Sequence, residues 1–265
     1  MFWVRFRSSL IIAVCAVLAL VLGGNVLFGV ILLVSLTGMM EMYRVAGAHR
    51  ALPGIIGYLA CAAYNLLLLF GKGAYRTEFF IAFFLVLMLG YVFTFPKYRA
   101  GQVTMVFFGF FYVAVMLSYV WQLRNGDGGA YLVWLVFIGS WGSDTCAYLV
   151  GRKFGRHKIV PKLSPKKSLE GCIGGVAGAA ALGALFAAVF SEELTIFTSP
   201  ILSCALMGAA SSVLSQLGDW AASAIKRNYD VKDYGTLIPG HGGIMDRFDS
   251  VIFTAPVIYY LAQLL

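Results

Sequence analysis

The chain has 265 residues, of which 60% are apolar and 12% carry charge; its formal net charge is +8 and its mean hydropathy is +0.84. Soluble domains are closer to half apolar and a quarter charged, so this composition excludes an ordinary water-soluble enzyme and a disordered chain. The apolar residues come in runs of about 17–25, each long enough to cross a hydrocarbon core of about 30 Å as a helix. The composition therefore predicts an all-α, polytopic integral membrane protein.

Nine apolar segments are predicted to span the membrane. In chain order they cover residues 8–22, 26–43, 53–70, 78–95, 103–121, 130–150, 171–190, 200–222 and 244–264. A signal peptide is the rival interpretation of the first segment, but it lacks a convincing small-residue cleavage site and the next apolar run follows at once. We expect residues 1–129 to form an N-terminal scaffold and residues 130–265 a catalytic region that includes the loops 151–170 and 223–249.

The basic residues predict the orientation of these segments. All but three of the 20 Lys and Arg residues lie in the N-terminal arm, which holds Arg5 and Arg7, or in loops on the same side of the predicted membrane. The other side holds Lys72, Arg76 and Arg124. Because cytoplasmic loops carry an excess of Lys and Arg, the N-terminus and the loops 151–170 and 223–249 are predicted to be cytoplasmic.

Polar groups embedded in apolar helices indicate where chemistry takes place, because a charge near a helix centre costs roughly 2.5–3.5 kcal/mol. Asp144 lies within the sixth segment and is predicted to face a water-filled cavity open to the cytoplasm; a structural ion pair is the alternative. Glu41, in the second segment, is predicted to pair with Arg44 one turn later. The eighth segment carries one polar stripe at helical spacing, made of Ser212, Ser215, Gln216, Asp219 and Ser223.

The loop before the seventh segment combines a predicted helix start with two cations. Ser164 followed by Pro165 is typical of an N-cap and a first helical residue, which places Lys166 and Lys167 in the first helical turn. Free N–H groups and two ammonium groups at a helix N-terminus favour phosphate binding. A juxtamembrane basic patch is the alternative. The small residues between 171 and 178 are predicted to let this helix pack closely against its neighbours.

The loop before the last segment adds glycines and carboxylates. Gly240, Gly242 and Gly243 are predicted to let the backbone approach a phosphate. Asp246 and Asp249 lie one turn apart at the start of the following helix. Together with Asp219 they form an oxygen-only set of hard ligands, which suits Mg²⁺ bound partly through substrate phosphates.

The segment 223–249 resembles the signature of phosphatidate cytidylyltransferases, also called CDP-diacylglycerol synthases. It reads S-x-x-K-R-x4-K-D-x-G-x3-P-x-H-G-G-x-x-D-R-x-D and matches that signature without a gap. The run Ser-Pro-Lys-Lys-Ser-Leu-Glu-Gly at 164–171 looks like the nucleotide-side motif of the family, and the segments 142–145 and 151–155 resemble the region that precedes it. The resemblance covers residues 131–250, while the N-terminal segments match in layout only.

The resemblance implies that cytidylyl passes from CTP to phosphatidate, which gives CDP-diacylglycerol and pyrophosphate for phospholipid synthesis. It implies Mg²⁺ as the cofactor, alone or with a second cation, held by Asp219 and Asp246 with Asp144 and Asp249 as further ligands or supports. The phosphates would be held by four cations, Lys166, Lys167, Lys226 and Arg227. The nucleotide site would be completed by Ser164, Ser168, Gly242, Gly243 and Arg247. His241 would either donate to a phosphate or shape the loop, and Arg247 would bind phosphate or pair with Asp249.

The resemblance also implies a homodimer. The chain is expected in the cell inner (cytoplasmic) membrane among membrane lipids, with no nucleic-acid partner, and the Lys and Arg distribution predicts that its active site faces the cytoplasm. A CTP-dependent polyprenol or phytol kinase is the alternative enzyme, although the complete signature disfavours it. A lipid or ion transporter is the alternative from another class. Transporters tend to carry paired broken helices in corresponding halves, whereas here the embedded charges lie in one half and no internal repeat is visible.

Overall fold

A computed structural model describes residues 2–265, apart from the side chains of residues 2 and 4–6; Arg5, used in the orientation prediction, lies outside the described side chains. Within this range the chain forms nine long helices and no β-strand, which confirms the all-α prediction. The helices are α1 (Phe2–Leu22), α2 (Gly24–Val45), α3 (Leu52–Leu69), α4 (Arg76–Phe93), α5 (Ala100–Arg124), α6 (Gly129–Phe154), α7 (Leu169–Val189), α8 (Pro200–Asn228) and α9 (Met245–Leu264).

Seven of the described helices, α2 to α8, are long and apolar enough to cross a membrane. The apolar part of α1, Arg7–Leu22, is shorter. The last helix, α9, is 20 residues long but carries charged residues in its first turns and Pro256 in its interior. A polytopic membrane protein is therefore confirmed, whereas the count of nine spans and the cytoplasmic N-terminus stay predictions.

Two helices contain wide, π-helical turns. In α5 the wide turn covers Phe110–Val115, and in α6 it covers Ile138–Gly142. A π turn closes hydrogen bonds from i to i+5, so it takes in one residue more than an α turn, and such turns occur frequently at functional sites. In α6 the wide turn ends directly before Ser143 and Asp144.

The chain divides into two compact units that alternate along the sequence. The first unit comprises Met1–Cys15, Asn25–Ser118 and Asp233–Arg247, and the second comprises Ala16–Gly24, Tyr119–Lys232 and Phe248–Leu265. The assignment of a scaffold role to residues 1–129 and of a catalytic role to the remainder stays a prediction.

Aromatic side chains form the centre of the first unit. Phe83 of α4 lies against Phe110 of α5, with ring centroids 4.5 Å apart, and Tyr64 of α3 packs edge-on against the same ring at 5.7 Å. Tyr43 of α2 is fully buried, and its hydroxyl donates a 2.8 Å hydrogen bond to the Val106 carbonyl of α5. These contacts hold the helices α2, α3, α4 and α5 together within this unit.

The second unit depends on close helix packing through small residues. A Cβ on Gly174 of α7 would lie 2.5 Å from Cβ of Val150 of α6, so only glycine permits this separation. Between α6 and α8, the Ser143 and Ser212 hydroxyls are 2.6 Å apart in a fully buried contact. The prediction that the small-residue face of α7 serves helix packing is confirmed.

Candidate active site

The polar stripe of α8 faces the interior of the second unit. Ser212, Ser215 and Gln216 are all buried. The Gln216 amide donates to the Cys172 carbonyl of α7 at 3.2 Å and to the Ser212 hydroxyl at 3.4 Å. Through Ser212 and Gln216 the stripe therefore connects α8 to α6 and α7, one to two turns before Asp219.

A polar cavity of about 560 Å³ opens at this end of α8, with walls from α6, α7, α8 and the loop between α6 and α7. It brings together six of the predicted site residues: Asp144, Ser164, Lys166, Lys167, Ser168 and Asp219. Arg152 and Lys158 also line it and had not been assigned to the site. The cavity thus combines two carboxylates with four cations, a composition that suits a triphosphate accompanied by a metal ion.

Lys167 and Asp219 form an ion pair within this cavity. Both side chains remain partly exposed, at 28% and 26%. Burial alone would lower the pKa of the Lys167 ammonium, but the nearby carboxylates of Asp219, Asp144 and Asp249 outweigh it and raise the pKa above its ordinary value. Lys167 is therefore a positive charge at every physiological pH.

The predicted start of α7 is wrong. The helix begins at Leu169, and its N-cap is Ser168, whose hydroxyl accepts the Gly171 N–H at 3.2 Å. Ser164 belongs to the preceding turns, where its N–H donates to the Val160 carbonyl at 2.8 Å. Lys166 and Lys167 consequently reach the cavity from a loop and not from the first helical turn.

A second group of charges is buried in the same unit. Asp249 of α9 is 7% exposed and accepts the Ser250 N–H at 2.8 Å, and Lys226 of α8 is 8% exposed. Asp249 interacts electrostatically with Lys226, Asp219 and Asp144. Arg227, by contrast, is exposed and donates to the Val231 carbonyl at 3.1 Å, just beyond the end of α8. The phosphate-binding roles predicted for Lys226 and Arg227 stay predictions.

In the first unit, residues 233–247 form a compact turn that we call the signature loop. Asp246, which is buried, organises it: one carboxylate oxygen, Oδ2, accepts the Tyr234 N–H at 2.9 Å and the Gly243 N–H at 3.0 Å. Gly242 has a φ of +84°, a conformation that favours glycine. The Gly243 N–H is thus bonded to a carboxylate within the loop, and its predicted approach to a phosphate stays untested.

Two further side chains of the first unit hold the signature loop. Glu41 does not form the expected salt bridge with Arg44; its carboxylate instead accepts the N–H groups of Ile244 and Met245, at 3.0 and 2.9 Å. His241 contacts the Ser9 hydroxyl of α1 at 3.1 Å, in agreement with a loop-shaping role. Sequence reasoning missed Glu41 as a functional candidate, although its position as an embedded carboxylate was the available signal.

The residues of the second unit fit the predicted metal in one particular way. Among the described residues no group of three or more His, Cys, Asp or Glu side chains is arranged as a metal site. Mg²⁺ is usually bound through one or two carboxylates together with substrate phosphates and water. Asp144 and Asp219 line one cavity beside four cations, so they suit this mode. Arg247, Gly242 and Asp246 lie in the first unit, and their predicted nucleotide and metal roles stay predictions.

Comparison with known proteins places this chain in a family. The profile of the cytidylyltransferase family matches residues 3–265. A phosphatidate cytidylyltransferase of Bacillus subtilis is 32% identical over 261 residues, which covers 96% of this chain and 95% of the relative. A phosphatidate cytidylyltransferase of Synechocystis is 32% identical over 292 residues, with 98% and 96% covered. The resemblance seen in the signature is confirmed: the chain belongs to the cytidylyltransferase family.

Proposed function

We propose that this chain transfers cytidylyl from CTP to phosphatidate, forming CDP-diacylglycerol and pyrophosphate. The observation that carries the proposal is the polar cavity within a membrane-spanning bundle, where Lys166 and Lys167 meet Asp144 and Asp219. Relatives named phosphatidate cytidylyltransferase that match nearly the whole chain support the same activity.

Cytidylyl transfer requires neutralisation of the negative charges on CTP and phosphatidate more than it requires a nucleophilic side chain. A phosphatidate oxygen is already anionic, so it attacks the α-phosphorus of CTP without a general base. The new bond joins that oxygen to the α-phosphorus, and the bond from the α-phosphorus to the bridging oxygen breaks, so pyrophosphate leaves with the electron pair. Lys166 and Lys167 line the cavity and are assigned to the triphosphate, where fixed positive charge stabilises the leaving group.

Mg²⁺, alone or with a second cation, is part of this proposal. Asp219 and Asp144 would hold it together with phosphate oxygens, and Asp249 is proposed as a further ligand. When bound, the ion neutralises the triphosphate and the departing pyrophosphate. The chain's own part is to place carboxylates beside lysines, so that two anionic substrates meet where their repulsion is balanced.

An apolar groove supports a lipid acceptor. It has a volume of about 510 Å³, lies between α7 and α8, and shares two of its lining residues, Cys172 and Gln216, with the polar cavity. Its apolar walls include Ile173 and Leu217, which are also exposed on the outside of the unit. We assign the groove to an acyl chain of phosphatidate, whose phosphate would then lie in the polar cavity.

The arrangement in the cell is also proposed. The chain would lie in the bacterial inner membrane with the polar cavity facing the cytoplasm, where CTP is made. This orientation rests on the distribution of Lys and Arg. The homodimer rests on the family resemblance.

Labelled CTP distinguishes this activity from its alternatives. Purified protein is incubated with phosphatidate, Mg²⁺ and CTP labelled at either the α- or the γ-phosphate, and the lipids are separated by thin-layer chromatography. We expect α-label in CDP-diacylglycerol and no γ-label in any lipid. γ-Label in an added polyprenol would indicate the kinase instead, and absence of label from every lipid would contradict both enzymes.

A further inference from the structure

Glu41 lies in α2, outside every motif that carries the family resemblance, yet it reaches the signature loop. Its side chain is 1% exposed. The two carboxylate oxygens accept the N–H groups of Ile244 and Met245, at the point where α9 begins. The first N–H groups of a helix have no partner within the helix, and an anion at this end is favoured by the helix dipole. Glu41 thus caps α9 from a helix more than 200 residues earlier in the chain.

Two glycines of the signature loop leave the space that this carboxylate fills. A Cβ on Gly235 would lie 2.5 Å from Oε1 of Glu41, and a Cβ on Gly243 would overlap the same carboxylate. For both glycines, all the nearest atoms belong to the Glu41 side chain. Neither has a positive φ, so the backbone conformation does not require glycine here. Glycine at these two positions instead leaves room for the Glu41 carboxylate.

The capped turn also carries a predicted catalytic group. Asp246 follows Met245 directly, and its own carboxylate accepts the N–H groups of Gly243 and Tyr234. Two buried carboxylates, Glu41 and Asp246, therefore bind four backbone N–H groups of one loop. A shift of the turn held by Glu41 would move the Asp246 backbone with it.

We propose that Glu41 is a positioning residue for cytidylyl transfer, which fixes the start of α9 and with it the signature loop and Asp246. The proposal rests on the proposed function for its effect on catalysis. It gives the N-terminal helices a definite role, because α2 supplies the group around which the signature loop is folded.

The isosteric variant Glu41→Gln tests this against Tyr43→Phe, which removes a buried hydrogen bond from the same helix without touching the loop. Glutamine keeps the size of the side chain but offers one acceptor oxygen to two N–H groups. We expect Glu41→Gln to lower kcat on the order of 10-fold, with little change in the KM for CTP, because the lysines assigned to CTP lie on other elements. Tyr43→Phe should lower Tm while turnover per folded molecule stays normal.

Amide hydrogen exchange provides a measurement that does not depend on activity. In Glu41→Gln the amides of Ile244 and Met245 should exchange about 10-fold faster than in the wild type, and in Tyr43→Phe they should not change. If the wild type forms no CDP-diacylglycerol, the proposed function fails, and exchange still decides whether Glu41 holds the loop. Unchanged exchange at both amides, or turnover that falls only with the folded fraction, overturns the proposal.

A double-mutant cycle tests the steric part. Gly235→Ala should be severely impaired in the wild-type background, because the new methyl group meets the Glu41 carboxylate. Added to Glu41→Ala, the same change should cost less than about 2-fold more activity, since the obstructing group is gone. Exchange at the loop amides should show the same non-additivity. Losses that simply multiply would show that Glu41 does not occupy this space, and would count against the proposal.

Discussion

Two aspartates of the predicted metal set serve the molecule in different ways. Asp219 in the second unit is partly exposed to a cavity and is paired with the Lys167 ammonium. Asp246 in the first unit is buried, and one of its oxygens is bonded to two backbone N–H groups. The partner of Asp219 is a side-chain cation that a substrate or metal can displace, whereas the partners of Asp246 are part of the fold. Similar sequence signals thus predict metal binding at both aspartates, whereas the structure shows that Asp246 also holds the fold of its loop.

Asp219→Asn is expected to have the largest effect on catalysis. The change removes the charge that a hard cation needs but keeps the size of the side chain, so turnover should fall on the order of 100-fold. Tm should stay near that of the wild type, because an ion pair that remains partly exposed to solvent contributes little to stability. CDP-diacylglycerol formation per folded molecule, measured beside a melting curve, checks this. Near-normal turnover would exclude Asp219 as a metal ligand.

Asp246→Asn should separate the two duties of Asp246. An amide oxygen still accepts backbone N–H groups, though less strongly than a carboxylate, so we expect insertion and purification together with a Tm several degrees lower. If the charge also binds metal, turnover per folded molecule should fall about 10- to 100-fold. If activity falls only with the folded fraction, Asp246 has a structural role alone.

Lys167→Ala is expected to act mainly through CTP. Loss of one charge-assisted contact to the triphosphate should raise the KM for CTP about 10-fold, with a smaller effect on kcat. Lys162→Ala is the matched control, since Lys162 is exposed on the same loop and does not line the cavity. Equal KM values for the two variants would make the loop a topology signal instead of a phosphate site.

Ser212→Ala should have the smallest effect on activity. It removes the buried 2.6 Å contact with the Ser143 hydroxyl, which should cost about 1 kcal/mol of stability. Turnover per folded molecule should not change, because this contact lies almost two turns from Asp219. A marked loss of turnover at normal stability would show that the whole stripe, and not its end alone, takes part in catalysis.

Features that depend only on residues close together in the sequence were predicted correctly. The polar stripe of α8 and the small-residue face of α7 follow from helical spacing and from the cost of burying polar groups, and both occur as predicted. The start of α7 could not be fixed this way, because Ser164 and Ser168 are both acceptable N-caps. A distant contact decides between them: the Leu169 N–H donates to the His157 carbonyl at 2.8 Å.

The partners of Glu41 could not be predicted from its neighbours in the sequence for the same reason. Arg44 is one turn away and of opposite charge, whereas the backbone amides that bind the carboxylate belong to the far end of the chain. Nothing in the spacing around Glu41 indicates them. The glycines that make room for this side chain were visible in the sequence, but Gly243 predicted a close approach of the backbone to a phosphate and not a space occupied by Glu41.

The wide turn of α6 makes the number of residues before Asp144 important for the site. Successive residues of a helix are rotated by about 100°, so one additional residue in a turn changes the direction of every side chain beyond it. The turn Ile138–Gly142 comes directly before Ser143, which faces α8, and Asp144, which faces the cavity. A chain shorter by one residue here would keep the same carboxylate in its sequence and point it elsewhere. In α6, the number of residues in the wide turn therefore determines whether the Asp144 carboxylate faces the cavity.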